Sequence, residues 1–401
     1  MISKRIYIKK NRIVISLFLV VFGITLILTS ELSRFIGISN SLLIDGMTKT
    51  FVYVMIFFGF IIALTKKHSK IELSGYLLAT FTIIMCISTF LGVTPDIPIW
   101  RQIIHLTLFL SSFYVIYIAV EQLTIDDCVG IIVMSYLIIA SFYFIAILEN
   151  KSLSGNVVYY LLVYLPLTPM IKSTILKRGL YVFQFIVILL SNKRTALIAF
   201  VAYCLSYEWM TVTDKNISLK KRIYKGVLYI MILVILYIIF PIICEKLHIT
   251  VFNELELSHI TEDGGSNRLY IYNQLWQTQK NSSIKHWLIG SGYNSVLLSK
   301  VCTDGFLGAS VSAHNDFLEV LYDYGVIGIS IYVTFFLSLI NKGINMVRDQ
   351  YKYGKSFISS ILIVIFTSLT SHLIIYLNYY AIIFCFWALC LADYRYGDKY
   401  E

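Results

Sequence analysis

The chain has 401 residues, of which 58% are hydrophobic, 15% aromatic and only 14% charged, with a formal net charge of +10. A soluble domain of this size carries about 25% charged residues, so a water-soluble globular enzyme is excluded. Apolar runs near the roughly 20 residues that cross a bilayer recur from end to end, and most of the positive charge lies in the short segments between them, where it reads as an orientation signal with no nucleic-acid meaning.

A basic tail precedes the first apolar run, 13–30, which has no small-residue cleavage site and reads as a first span rather than a cleavable leader. Further spans follow at 51–65, 73–91, 103–120, 129–148, 156–171, 179–192, 195–210, 226–243, 318–340, 356–376 and 378–392. The fold class is therefore an all-α polytopic membrane protein of about twelve helices. An even count puts both termini on one side, together with Lys66, Lys67, Lys220, Lys221, Arg222, Lys352 and most of the other Lys and Arg. The positive-inside rule makes that side the cytoplasm. Three regions result: a bundle over 1–243, one large external loop over 244–317, and a second membrane part with a cytoplasmic tail over 318–401. Cys244 and Cys302 face outward on this map, where a disulfide is open to them. The loop contains "RLYIYNQLWQTQ" (268–279), whose Leu269, Tyr272, Leu275 and Trp276 recur at helical spacing and suit a helix lying on the membrane surface.

The membrane does not explain certain polar groups. In "GLYVFQFIVILLSNKRTALIAFVAYCLSYEWM" (179–210), Lys193 and Arg194 divide two short apolar halves and belong at the outer interface. They read equally as functional cations and as snorkelling anchors. Arg268 opens the loop helix, where a salt bridge to Glu262 or Asp263 is the simpler reading, and Arg101 opens the fourth span as an interfacial arginine. His314 and Asn315 lead into a segment whose Asp316, Glu319 and Asp323 recur at spacings of three and four, on one helical face. Three carboxyl groups cannot face lipid cheaply, so this stripe is expected to line a wet cavity or to meet cations. Gly325 and Gly328 permit close approach of a neighbouring helix.

These residues resemble a known family. "HNDFLEVLYDYGVIG" (314–328) is a His-Asn followed, nine residues on, by Gly-x-x-Gly, and resembles the signature of the O-antigen ligase and polymerase superfamily. "SNKRTALIAF" resembles that family's Ser-x-x-Arg-Thr-Ala segment, "GGSNRLYIYNQLW" its loop Arg-Leu-x-x-Tyr/Trp segment, and "WLIGSGYNSV" the Leu-x-Gly-x-Gly-Tyr/Phe stretch that precedes the histidine. Their order and the single large outer loop fit as well. The motif runs on as "GVIGIS" (325–330), which after Gly328 departs from the Gly-Thr-Gly pattern of some ligases.

The resemblance implies a GT-C-like bundle and a bacterial glycosyltransferase using undecaprenyl-pyrophosphate-linked oligosaccharides, without a metal or cofactor and with inversion at the anomeric carbon. His314, Arg194 and Arg268 would be catalytic. Lys193, Arg101, Asn315, Asp316, Glu319 and Tyr293 would contact substrate, Asp316 and Glu319 either binding acceptor hydroxyls or tuning His314. A polymerase making O-antigen or capsular polysaccharide on the outer face of the cytoplasmic membrane, with a chain-length regulator as a candidate partner, is the leading expectation. A ligase acting on lipid A-core is the near alternative, and a flippase for the same lipid-linked unit the alternative of another class. Flippases tend to carry repeated halves and broken helices at the midplane, and neither is visible in this sequence.

Overall fold

The computed structural model describes residues 72–92, 157–191, 193–212, 267–303, 308–374 and 377–396, with isolated helical positions at Phe113, Tyr117, Leu137, Tyr224, Val227 and Met231. The spans expected at 13–30 and 51–65 lie outside the described residues, and those at 103–120, 129–148 and 226–243 lie almost wholly outside them. The described part is mostly helical. Its helices are α1 Leu73–Leu91, α2 Val157–Val163, α3 Thr174–Leu190, α4 Arg194–Val212, α5 Arg268–Lys280, α6 Ile284–Ile289, α7 Ser295–Leu298, α8 Asp316–Arg348, α9 Gly354–Thr370 and α10 Leu377–Tyr396. A short antiparallel pair, β1 Cys302–Thr303 and β2 Ser310–Val311, joins Cys302 to Val311 and Thr303 to Ser310.

Helices α1 and α8 are long and apolar enough to cross a membrane, and their burial pattern explains the composition. The outward face of α1 carries Tyr76, Ile83, Ile87 and Phe90, while its inward face carries Ser74, Thr82, Ser88 and Thr89. A helix more polar inside than outside suits lipid as solvent, where small residues bring helices close. Thr82 and Thr89 return their hydroxyl protons to the carbonyls of Leu78 and Met85, which satisfies both donors. Helix α9 follows the same rule: Ser360 accepts from the Trp387 indole at 2.8 Å, and Ser206 donates to Ser359 at 3.4 Å.

Contacts at their ends make α1 and α8 antiparallel. At one end Lys342 pairs with Glu72 at 3.0 Å. At the other the N–H of Tyr293 donates to Thr89 Oγ1 at 3.1 Å, and a Cβ on Gly92 would overlap the carbonyl of Ser291. The loop elements α5 to α7 thus gather at the end of the bundle where α1 finishes and α8 begins.

The structure corrects several expectations. The apolar stretch 156–171 is not one helix, because Pro166 and Pro169 turn its second half into the 3-10 segment Leu165–Met170. Helix α8 begins at Asp316 and reaches Arg348, with a break at Gly325 (φ 67°, ψ −171°). Helix α9 stops at Thr370, although the apolar run continues to 376. Helix α5 forms over the expected residues, and only part of its apolar stripe packs against protein. It buries Ile271, Leu275 and Gln279, the first two against Val296, Cys302, Ala313 and Tyr322, and leaves Leu269 and Trp276 exposed. Cys302 is a free buried thiol that donates to the Ile271 carbonyl at 3.6 Å, so it forms no disulfide with Cys244.

Candidate functional site

The start of α8 fixes the site. Asn315 caps the helix, its Oδ1 accepting from the N–H groups of Phe317 at 3.0 Å and Leu318 at 3.1 Å, which satisfies donors a helix start leaves orphaned. Its Nδ2 donates to the Leu369 carbonyl in the last turn of α9 at 3.1 Å. The residue before it, His314, takes a left-handed φ of 51°, and its carbonyl accepts from the Tyr272 hydroxyl at 3.3 Å. One turn into the helix, Glu319 reaches back so that Oε2 accepts from the Ala313 N–H at 2.8 Å. The backbone on both sides of His314 is therefore held.

Asp316 holds the opposite wall. Its carboxyl is fully buried and accepts from Ser368 Oγ at 2.7 Å, from Tyr380 Oη at 3.0 Å and from the Ile374 N–H at 2.9 Å. These contacts take up the backbone just after α9. Ser371 is extended and donates to Tyr159 Oη at 2.9 Å, and the next residue, His372, turns toward His314. The two imidazoles meet Nδ1 to Nδ1 at 3.0 Å, ring centroids 4.6 Å apart and planes at 73°.

Two cations act on this pair. Burial drives the His372 ring to about 3, with His314, Arg268 and Lys193 adding to the shift in that order. His372 is therefore neutral at physiological pH, and its neighbourhood is positive. Arg268 also acts on Tyr272, one turn along α5, whose hydroxyl donates to the His314 carbonyl. Lys193 sits in the turn between α3 and α4, its N–H donating to Ser191 Oγ at 3.3 Å. Among the described residues neither Lys193 nor Arg268 enters an ion pair; the pairs found there are Lys342–Glu72 and Arg348–Asp349. Two cations acting near two histidines bring together positive charge that can meet an anion and imidazoles that can carry a proton.

Asp323 locks the loop half. It accepts from the N–H of Asn294 at 2.8 Å, from that of Ser295 at 3.0 Å and from Ser295 Oγ at 2.6 Å, while its carbonyl takes the Gly292 N–H at 2.7 Å. The backbone of 288–290 lies so close to the break in α8 that a Cβ on Gly290 would overlap the Asp323 carbonyl, and one on Gly325 would overlap that of Leu288. Gly290 and Gly325 make this contact possible, while Gly292 lies against the backbone of Thr89 in α1. Beside it His286 bridges Gln279 Oε1 at 2.9 Å and Ser291 Oγ at 2.5 Å, and burial lowers its affinity for a second proton.

The sequence-based candidates fall into three groups. Lys193, Arg268, His314 and Asn315 come together. Asp316, Glu319 and Asp323 do not line a wet cavity: they are 0%, 0% and 1% exposed and hold neighbouring backbone. Tyr293 packs against the apolar core, its N–H on Thr89 of α1. Arg194 opens α4, and Arg101 lies outside the described residues. Sequence reasoning missed His372. The signal was there, since an ionisable residue inside an apolar run is by default a functional candidate, but His372 falls within the run 356–376 that reads as a single span.

Residues 179–333 match the family model described as O-antigen ligase. That segment runs from α3 through the loop helices to the middle of α8, and so contains Lys193, Arg194, Arg268 and His314. The family resemblance carried by the motifs is thereby borne out. No curated protein matches the chain.

Proposed function

We propose, for a chain whose residues 179–333 match the family model described as O-antigen ligase, that it is a membrane glycosyltransferase joining lipid-pyrophosphate-linked oligosaccharide units into O-antigen or capsular polysaccharide. The observation that carries the reading is the meeting of Lys193, Arg268, His314 and His372 at one end of the bundle. A lipid pyrophosphate holds its anionic group at headgroup level, where such a corner sits if both termini are cytoplasmic. The guanidinium of Arg268, with its forked donors, and the ammonium of Lys193 bind the pyrophosphate and stabilise the charge it gains as it leaves. Arg194, at the first position of α4, joins them.

His314 takes the proton of the acceptor hydroxyl as its oxygen bonds to the anomeric carbon. The bond from that carbon to the pyrophosphate oxygen breaks in the same step, and its electron pair leaves with the pyrophosphate. In-line displacement inverts the anomeric configuration. Asp316 and Glu319 serve as positioning groups, which is the tuning role rather than the sugar-binding one.

The departure from the Gly-Thr-Gly pattern after Gly328 favours a polymerase, in which one lipid-linked unit is both donor and acceptor. The description of the matching family favours the second reading, a ligase that hands the glycan to lipid A-core. The test gives the purified protein, in lipid, one lipid-pyrophosphate-linked repeat unit and no other acceptor. A ladder of multiples supports the polymerase. Transfer only after lipid A-core is added supports the ligase. Absence of transfer in both arms, with units that related enzymes accept, overturns the glycosyltransferase reading.

A further inference from the structure

We propose that His372 is the orienting partner of His314, its Nδ1 accepting the Nδ1 proton of His314 so that His314 presents Nε2 to the acceptor hydroxyl. This role rests on the glycosyltransferase reading and adds to it a residue that lies outside the segment matched by the family model, 179–333.

The Nδ1 to Nδ1 contact at 3.0 Å admits one proton between the rings, since two protonated Nδ1 atoms would repel. Which ring holds it follows from the surroundings. His372 is partly buried at the end of α9, and the positive charges of Arg268 and Lys193 oppose any charge on it. It therefore stays neutral, and the proton that the pair takes up resides on His314, whose Nδ1–H then needs the Nδ1 of His372 as its acceptor. His314 then carries its proton on Nδ1, and Nε2 is the atom that takes a further proton. A base held in one tautomer by a third group is the general logic of nucleophile activation, here with a neutral partner in place of a carboxylate.

The neutral partner suits the site. A carboxylate beside His314 would bond with Arg268 and Lys193 and blunt them as pyrophosphate ligands, whereas an imidazole leaves their charge available. It also holds the imidazolium of His314 less tightly, so the proton taken from the acceptor hydroxyl passes readily to water or to the departing pyrophosphate. The charged and titratable groups around His372 come from each neighbouring element: Lys193 before α4, Arg268 from α5, His314 and Asp316 at the start of α8, Tyr380 from α10, and Tyr159 through Ser371. Asp316 reaches the backbone of Ile374, not the imidazole, so it fixes where His372 sits.

The test compares His372→Ala, His372→Asn and His372→Asp in the full-length protein in nanodiscs. For transfer, His372→Ala is expected to lose about 10²-fold in kcat with little change in KM for the lipid-linked donor. His372→Asn, whose amide oxygen stands near the position of Nδ1, recovers part of the loss. The acidic limb of the kcat/KM profile moves in opposite directions: to lower pH in His372→Ala, where the imidazolium of His314 loses its acceptor, and to higher pH in His372→Asp, where it gains an anion. A purely structural role would lower the plateau and leave the limb in place, and that result overturns the proposal.

A second readout needs no substrate and stands apart from the glycosyltransferase reading. Nitrogen NMR of histidine-labelled protein is expected to find His314 protonated on Nδ1 in the unaltered chain and shifted toward the Nε2 tautomer in His372→Ala. His314 protonated on Nε2 in the unaltered chain overturns the proposal even if transfer is efficient. The expected tautomers with no transfer support the pair and count against the assigned reaction instead.

Discussion

Replacing Asp316 tests how the site is held. Its carboxyl accepts from three donors, Ser368 Oγ, Tyr380 Oη and the Ile374 N–H, in a fully buried position. In Asp316→Ala the two hydroxyls are not stranded, because Ser368 and Tyr380 lie 3.0 Å apart and Tyr380 lies 2.7 Å from Tyr332, so they can pair among themselves. The Ile374 N–H has no such recourse, and a buried orphaned donor costs about 1–3 kcal/mol. The void left by the carboxyl adds about 1 kcal/mol. The expected loss is therefore about 2–4 kcal/mol in all, with faster amide exchange at 372–374 and with activity lost as His372 is released. Asp316→Asn keeps an acceptor for Ile374 and should cost only about 1 kcal/mol. Denaturant unfolding in mixed micelles, followed by amide exchange, reads both quantities. Unchanged stability and unchanged exchange at Ile374 in Asp316→Ala would refute the reasoning, and a loss of activity without either change would return Asp316 to direct contact with the sugar.

Other variants test other joints. His314→Ala should lower transfer by about 10²–10⁴-fold while membrane insertion and unfolding stay as they are; near-normal turnover removes the general-base role. Gly325→Ala meets the Leu288 backbone at a φ of 67°, so strain alone costs about 1–3 kcal/mol and the overlap adds to it. Gly179→Ala, a helical position with nothing within 4 Å, should stabilise by about 0.5–1 kcal/mol, and the two unfolding curves are compared directly. His286 has a folded pKa below its ordinary 6.5 because burial disfavours its charged form. The unfolded chain therefore takes up the proton first, and the stability His286 confers is complete above about 6.5 and is lost as pH falls toward the folded value. Amide exchange at 286–292 should quicken below that pH in the natural protein and become independent of pH in His286→Gln.

The sequence by itself determined the chemical types and the long elements. Helix α1 fell at 73–91 as read, because a lipid-facing helix needs an unbroken apolar run and shows it. The stripe of Asp316, Glu319 and Asp323 was legible as one helical face, since α-helical spacing is a local property; Lys193 read equally as anchor and as functional cation, Arg268 more simply as a salt-bridged residue, and the family resemblance is what singled them out with His314. Tertiary structure decided what each of them does. The three carboxyl groups face protein rather than water: Asp316 takes Ser368 of α9, Tyr380 of α10 and the Ile374 N–H, Asp323 takes Asn294 and Ser295 at α7, and Glu319 takes the Ala313 N–H just before α8. For Asp316 and Asp323 no local pattern announces partners tens of residues away. The end of α9 was invisible for the same reason: residues 371–376 are as apolar as the helix before them, and what turns the chain is Asp316 taking the N–H of Ile374 and Tyr159 taking the hydroxyl proton of Ser371. That turn brings His372 to His314, a pairing across 58 positions that depends on two helix ends meeting in space.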